Sequence, residues 1–346
     1  MPLLHKTVDA ERAHYYAVKM AKFNFLSSSN MTRKEYPELE CDIFGKHFYN
    51  PIGIAAGFDK NGEAIEGLRQ SGLGFIEIGS VTPLPQPGND RPRVFRLVED
   101  KALINRYGFN IKSAGSTVPL GINLGKNKTS TNAANDYEIG VNYLAQNCDY
   151  LVINVSSPNT PGLRALQSKK ELEKIMKTVS SSLARAVPCE QDRPKMLLKI
   201  TSDLIESELK DIAQLCLDKR NGIDGLIISN TTIQRPSCLA SDPSVVQQTG
   251  GLSGEPLKEM STECIRRMHK LTSGKLPIIG CGGVSSGRDA YEKILAGASL
   301  VQFYTALVYQ GFPVIGRIKR ELTECLHKDG FTNVQQAVGK ANQINK

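Results

Sequence analysis

The residues best able to do chemistry cluster at the ends of short apolar runs. Ala55-Ala56-Gly57-Phe58-Asp59-Lys60 closes the first run, Gly79-Ser80 the second, and Asn123 lies in the third, ahead of Gly125-Lys126-Asn127. Asn154 leads into Ser156-Ser157-Pro158-Asn159 after the fourth, Lys199 falls in the fifth, and Ser229-Asn230-Thr231-Thr232 closes the sixth. Amides, hydroxyls and the two lysines Lys60 and Lys199 make a lining for a planar, polar, anionic ligand held by many hydrogen bonds. No histidine, cysteine or carboxylate stands out among them as a nucleophile. Further on, Gly280-Cys281-Gly282-Gly283-Val284-Ser285-Ser286-Gly287 and Tyr304-Thr305 can aim backbone N–H groups at a phosphate. Gly250-Gly251-Leu252-Ser253-Gly254 lies in the loop after the sixth run, where it can close over that phosphate. Glycine-rich loops also serve merely as tight turns, but the joint position of these favours a phosphate-anchored cofactor. Flavin mononucleotide (FMN) is the expected one, because it supplies redox chemistry that these side chains lack.

The apolar runs cover residues 51–56, 73–79, 119–124, 150–155, 196–200, 225–229, 277–281 and 299–303. Their composition is that of strands buried on both faces. Helix-period segments follow most of them, at 171–186, 203–219, 257–272 and 287–296. Regular alternation implies a parallel sheet, and a count of eight runs favours closure into a (β/α)8 TIM barrel. In that fold the chemistry belongs at the C-terminal ends of the strands, where the polar residues above fall.

Ahead of the barrel, residues 41–49 read as a hairpin turning at Gly45-Lys46, suited to plug the N-terminal end of the strands. A Pro- and charge-rich insertion at 82–110 suits a loop or short hairpin on the upper face, and the 111–118 link after it is too short for an ordinary crossover helix. Asp9 reads as the N-cap of an amphipathic helix whose apolar positions are Ala13, Tyr16, Ala17, Met20 and Phe23. Residues 1–34 carry six Lys or Arg against two acids, as in an element lying on a membrane surface or packed on the main domain.

Composition sets the bounds. The 346 residues are 40% apolar and 23% charged, which excludes disorder and coiled coil. The net charge of +8 is spread without a block of five like charges, which argues against nucleic-acid binding. The eight cysteines form no zinc-spaced cluster and read as free structural thiols, so no metal is expected. No run of about 18 apolar residues spans a bilayer, and there is no signal-peptide core.

Taken together, NPIGIAAGFDKNGEAIEGL, GFIEIGSVTPLPQPGNDRPRVFRL, INRYGFN, GINLGKNKTS, YLVINVSSPNTPGLR, GLIISNTT, GGLSGEPL and IIGCGGVSSGRDA make the chain resemble the class 2 dihydroorotate dehydrogenases. The likeness covers nearly the whole chain and is closer to the mitochondrial members than to the bacterial ones. It implies oxidation of dihydroorotate to orotate in pyrimidine biosynthesis, with FMN as hydride acceptor and a ubiquinone-type membrane quinone as final electron acceptor. By the same resemblance, Ser157 would be the base that takes the C5 proton, where class 1 enzymes use a cysteine. Substrate contacts would come from Lys60, Asn105, Arg106, Tyr107, Gly108, Phe109, Asn154, Asn159, Asn230 and Thr231. Cofactor contacts would come from Ala56, Gly57, Lys60, Ser80, Asn123, Asn154, Lys199, Ser229, Gly254, Gly283, Tyr304 and Thr305. Residues 1–34 would form the membrane and quinone-tunnel domain, with His14, Ala17, Met20, Arg96, Tyr304 and Leu307 lining the tunnel. Residues 35–346 would form the FMN-binding barrel.

His5 stands where mammalian members often carry glutamine, so the tunnel mouth is expected to differ. The targeting and transmembrane segments common in mitochondrial members have no counterpart here, and the chain is expected to start within the first tunnel helix. The implied location is the mitochondrial inner membrane, with peripheral attachment to a bacterial inner membrane as the alternative. Two rivals predict a colourless protein. They are a Schiff-base aldolase using Lys199 or Lys60, and a degenerate barrel that docks on a membrane partner through its N-terminus.

Overall fold

The computed structural model describes residues 8–23, 30–107 and 118–343. Eight parallel strands close into a barrel in chain order: Ile52–Ile54, Phe75–Val81, Leu120–Leu124, Tyr150–Asn154, Lys195–Thr201, Gly225–Asn230, Ile278–Cys281 and Leu300–Phe303. The eighth returns to the first through Val301 opposite Ile52. The strands are buried on both faces because side chains fill the barrel inside and helices cover it outside. The anticipated helices are Lys169–Ala186, Glu206–Leu217, Lys258–Leu271 and Gly287–Ala296, joined by Ile65–Arg69, Ala133–Leu144 and Val314–Lys328. The second of these starts at Glu206 rather than at 203, because Asp203 spends its carboxylate on neighbouring loops instead of capping the helix.

The hairpin of Cys41–Ile43 and Lys46–Phe48 closes the N-terminal end of the barrel, as its sequence suggests. Phe48 meets Phe75 edge-on at 5.9 Å, and Lys46 pairs with Asp149 at 2.7 Å. Its two-residue turn is Phe44-Gly45, with φ of 59° and 73°, one residue earlier than expected. Both central residues of such a turn need positive φ, which matches the strand twist.

On the opposite end, the 82–110 insertion supplies a hairpin of Val94–Leu97 and Ala102–Asn105. Gly251–Gly254 pairs with its second strand, from Gly251 opposite Asn105 to Gly254 opposite Ala102. The glycine-rich stretch after the sixth barrel strand is therefore the edge of a three-stranded sheet and not a loop. Leu97, Ala102, Ile104 and Leu252 form the small core beneath it. Of the 111–118 link only Val118 lies within the described residues, and Gly108, Phe109 and His5 lie outside them.

The N-terminal helix is Ala10–Lys22, capped by Asp9, whose Oδ1 accepts from the amides of Glu11 (3.0 Å) and Arg12 (3.1 Å). It packs on Ile65–Arg69 and on the insertion hairpin. Its buried face differs from the predicted stripe. Ala17, Val18 and Ala21 point inward, whereas Tyr15, Tyr16, Met20 and Phe23 are each at least half exposed. Small residues allow the close helix approach, which turns the large apolar ones outward beside Lys19 and Lys22. No described helix is long and apolar enough to cross a membrane.

Candidate functional site

A cavity opens at the C-terminal ends of the strands, with Val94, Lys101, Leu103 and Asn105 of the insertion hairpin in its wall. Its floor rests on a charged group that the apolar pattern concealed. Glu77, fully buried inside the second strand, accepts from Asn123 Nδ2 (2.8 Å), Lys199 Nζ (3.1 Å) and Gln302 Nε2. A carboxylate survives in such a place only when paired and hydrogen-bonded. The signal in the sequence was the single acid inside the run GFIEIGS.

From this base a polar network climbs to the cavity. Asn123 Oδ1 accepts from Ser80 Oγ and from Asn154 Nδ2 (3.1 Å). Asn154 Oδ1 in turn accepts from Asn230 Nδ2 (3.2 Å) and from Ser156 Oγ (3.2 Å). Register shifts at Gly79/Val81 and Ile228/Asn230 mark where Ser80 and Ser229 reach the wall, as bulges beside binding sites commonly do. The buried Ser229 hydroxyl has no hydrogen-bond partner among the described residues, which is the mark of a site built to bond a ligand.

Of the expected cofactor contacts, Ala56, Gly57, Lys60, Ser80, Asn154, Lys199, Ser229, Gly254, Gly283, Tyr304 and Thr305 all line the cavity. Asn123 does not; it lies one layer below and acts on Ser80 and Asn154. Gly254 and Gly283 adopt φ of 101° and 71°, and a Cβ there would fall 2.4 Å from the Lys101 carbonyl oxygen and from Lys258 Cα. Backbone packing alone thus demands glycine at both. Among the described residues, the amides of Gly283 and Thr305 donate to no backbone acceptor, so they can serve an anion. Ser253 joins this end through a 2.8 Å contact of its hydroxyl with Thr305 Oγ1.

The expected substrate residues Lys60, Asn105, Tyr107, Asn154, Asn159, Asn230 and Thr231 also line the cavity, with Ser157 among them. Ser157 Oγ accepts from the Asn159 amide (3.3 Å), and among the described residues its hydroxyl donates to no protein acceptor. Asn159 Nδ2 reaches Asn105 Oδ1 at 3.1 Å. Arg106 turns away: Nε donates to the Pro92 carbonyl (3.0 Å) and Nη1 to Gln248 (3.2 Å), while the guanidinium covers Phe95. Lys60 Nζ lies 3.0 Å from the centre of the Tyr107 ring, and Arg93, paired with Glu11 at 2.6 Å, approaches the same ring. Burial, then the nearby Arg93 charge, lowers the Lys60 pKa to about 7.

The expected tunnel residues meet the cavity at one side chain. Tyr304 lines it and lies 3.2 Å from His14 Nδ1 of the N-terminal helix. Burial, then the charge of Lys60, lowers the His14 pKa to about 3, so this ring is neutral, and burial raises the Tyr304 pKa, so its hydroxyl keeps its proton. Leu307 is buried in the core, Ala17 packs on that core, and Arg96 Nη1 donates to the Val8 carbonyl (2.8 Å). Met20 is exposed on the outer face of the helix.

Comparison with known proteins identifies the family of the chain. The family model described as "Dihydroorotate dehydrogenase" matches residues 38–326. The chain is 50% identical to the mitochondrial dihydroorotate dehydrogenase (quinone) of Oryza sativa, over 97% of this chain and 78% of that one. It is 50% identical to the Mus musculus mitochondrial protein of that name, over 98% and 88%. The dihydroorotate dehydrogenase (quinone) of Rhodospirillum rubrum is 48% identical over 96% and 91%. The crystal structure of ligand-free DHODH from Eimeria tenella superposes with a TM-score of 0.90 at 41% identity, covering 96% of this chain and 99% of that one.

Proposed function

Because the chain belongs to the dihydroorotate dehydrogenase family, we propose that it oxidises dihydroorotate to orotate in pyrimidine biosynthesis and passes the electrons to a quinone. The observation that carries this reading is the convergence of Ser157, Lys60, Lys199 and four asparagines, Asn105, Asn154, Asn159 and Asn230, on one cavity. FMN, when bound, supplies the hydride acceptor that no side chain here provides. Lys199, held by Glu77, and the Ser229 hydroxyl, unpartnered among the described residues, suit its ring, and Gly254, Gly283 and Thr305 its phosphate.

The protein's own part is orientation and proton transfer. Lys60 neutralises the substrate carboxylate, and the asparagine amides read the ring's N–H and C=O groups. Ser157 would take the C5 proton and pass its own hydroxyl proton on to water, while the C6 hydride would leave to the flavin; among the described residues its hydroxyl donates to no protein acceptor, so it is free to turn to the substrate. The proteins of this name in the comparisons are both mitochondrial and bacterial. We place this one at the mitochondrial inner membrane, with a bacterial inner membrane as the alternative. Residues 1–34 serve as the membrane and quinone domain and 35–346 as the catalytic barrel, with no nucleic-acid partner. Exposed Tyr16, Met20 and Phe23 beside Lys19 and Lys22 support that role.

The purified protein is expected to be yellow, to bleach with dihydroorotate and to regain colour with a ubiquinone analogue. Colourless material unable to take up FMN overturns the reading. Phe23→Asp combined with Met20→Asp should weaken sedimentation with anionic vesicles about tenfold or more while bleaching persists. Unchanged sedimentation would remove the membrane role alone.

Lys60 carries a pH prediction. Its folded pKa of about 7 lies below the unfolded value, so the unfolded chain binds the extra proton above pH 7, and ligand-free stability rises from there toward the unfolded pKa. A carboxylate ligand needs the ammonium form, so orotate affinity should fall as pH climbs above 7, and Lys60→Met should flatten that slope. Titrations of orotate between about pH 6 and 9 check this, and a flat wild-type profile would refute it.

A further inference from the structure

We infer that Arg164, which lies outside the cavity lining, is a positioning residue for the proton-transfer step, an inference that rests on the reading of Ser157 as the base. Its guanidinium reaches three different βα loops. Nε donates to the Ser156 carbonyl (3.0 Å), Nη2 to the Thr231 carbonyl (2.9 Å) and Nη1 to Asp203 Oδ2 (2.7 Å). Those acceptors follow the fourth, sixth and fifth barrel strands respectively.

The Ser156 carbonyl belongs to the peptide plane that also contains the Ser157 nitrogen. Holding that oxygen therefore restrains the rotation that aims the Ser157 side chain. The Thr231 carbonyl does the same for the loop that presents Asn230 and Thr231 to the cavity. One rigid, planar cation thus sets the base against the groups that read the substrate ring. Asp203 anchors the cation from behind, since its Oδ1 accepts from Thr232 Oγ1 and its Oδ2 also accepts from the Ile233 amide (3.1 Å) and Thr201 Oγ1 (3.2 Å). Side-chain exposure of 21% for Arg164 and 10% for Asp203 keeps the pair partly shielded from water. A lysine offers one ammonium in place of the fork and cannot hold all three acceptors in that plane.

The two half-reactions separate this role from general support of the fold. Arg164→Met should slow bleaching of the bound flavin at saturating dihydroorotate by about 10- to 100-fold. Flavin content and the rate of reoxidation by a ubiquinone analogue should stay at wild-type values, because neither uses the base. Arg164→Lys should fall between the two proteins. Wild-type bleaching in Arg164→Met overturns the inference. If Arg164→Met loses flavin or fails to fold, Arg164→Lys decides: slow bleaching with normal reoxidation supports the role, and equal loss in both half-reactions overturns it. A wild-type protein that dihydroorotate does not bleach would instead refute the proposed function, so the two failures are distinguishable.

Discussion

Replacing Ser157 with alanine should slow bleaching of the flavin by dihydroorotate about 10²- to 10⁴-fold at neutral pH, the usual worth of a positioned acid–base group. The change removes one hydroxyl from a nearly buried position and, among the described residues, strands no protein donor other than the Asn159 amide, so the fold should keep its stability within about 1 kcal/mol. Reoxidation by quinone should proceed at the wild-type rate, since it needs no proton from C5. Stopped-flow traces of the two half-reactions measure both quantities. Near-normal bleaching would cancel the role of Ser157 and leave the flavoprotein reading in place.

Lys199→Met should have the largest effect on stability. Lys199 and Glu77 are almost completely shielded from solvent, and the remaining partners of Glu77 are the neutral amides of Asn123 and Gln302. Breaking a buried pair from one side leaves an uncompensated charge and costs about 3–5 kcal/mol. Adding Glu77→Gln should recover most of that loss, because replacing both partners removes the buried charge. Flavin retention should not recover, since the cation facing the cavity is still missing. Chemical denaturation and flavin release by dialysis would read the two effects separately. An unchanged denaturation midpoint in Lys199→Met would show that the pair is not an electrostatic unit.

The barrel was legible from residue pattern because a strand covered on both faces must be apolar throughout, and each run carries that requirement locally. The runs at 150–155 and 225–229 overlap closely with Tyr150–Asn154 and Gly225–Asn230 for that reason. Most of the cavity lining was legible for a related reason: the fold places strand C-termini together, so polar residues there had to converge. Glu77 escaped notice because its partners are distant in the chain, Lys199 by 122 residues and Gln302 by 225. The strand at Gly251–Gly254 was concealed because its pairing partner lies in an insertion about 150 residues earlier. On the N-terminal helix, periodicity located the helix and its cap but not which face is buried, since Ala17 and Ala21 carry little hydrophobic weight of their own.

Sequence alone therefore determined the strand order, the end of the barrel where chemistry belongs, and the inventory of side chains brought there, all consequences of local pattern and chain connectivity. Tertiary structure alone decided that Asn123 supports the site from below, that Arg106 turns outward, that Arg164 bridges three loops, and that the large apolar residues of the first helix face out. Each of those outcomes depends on which groups meet across long stretches of chain, where hydrogen-bond geometry and close packing select one contact among many that composition permits.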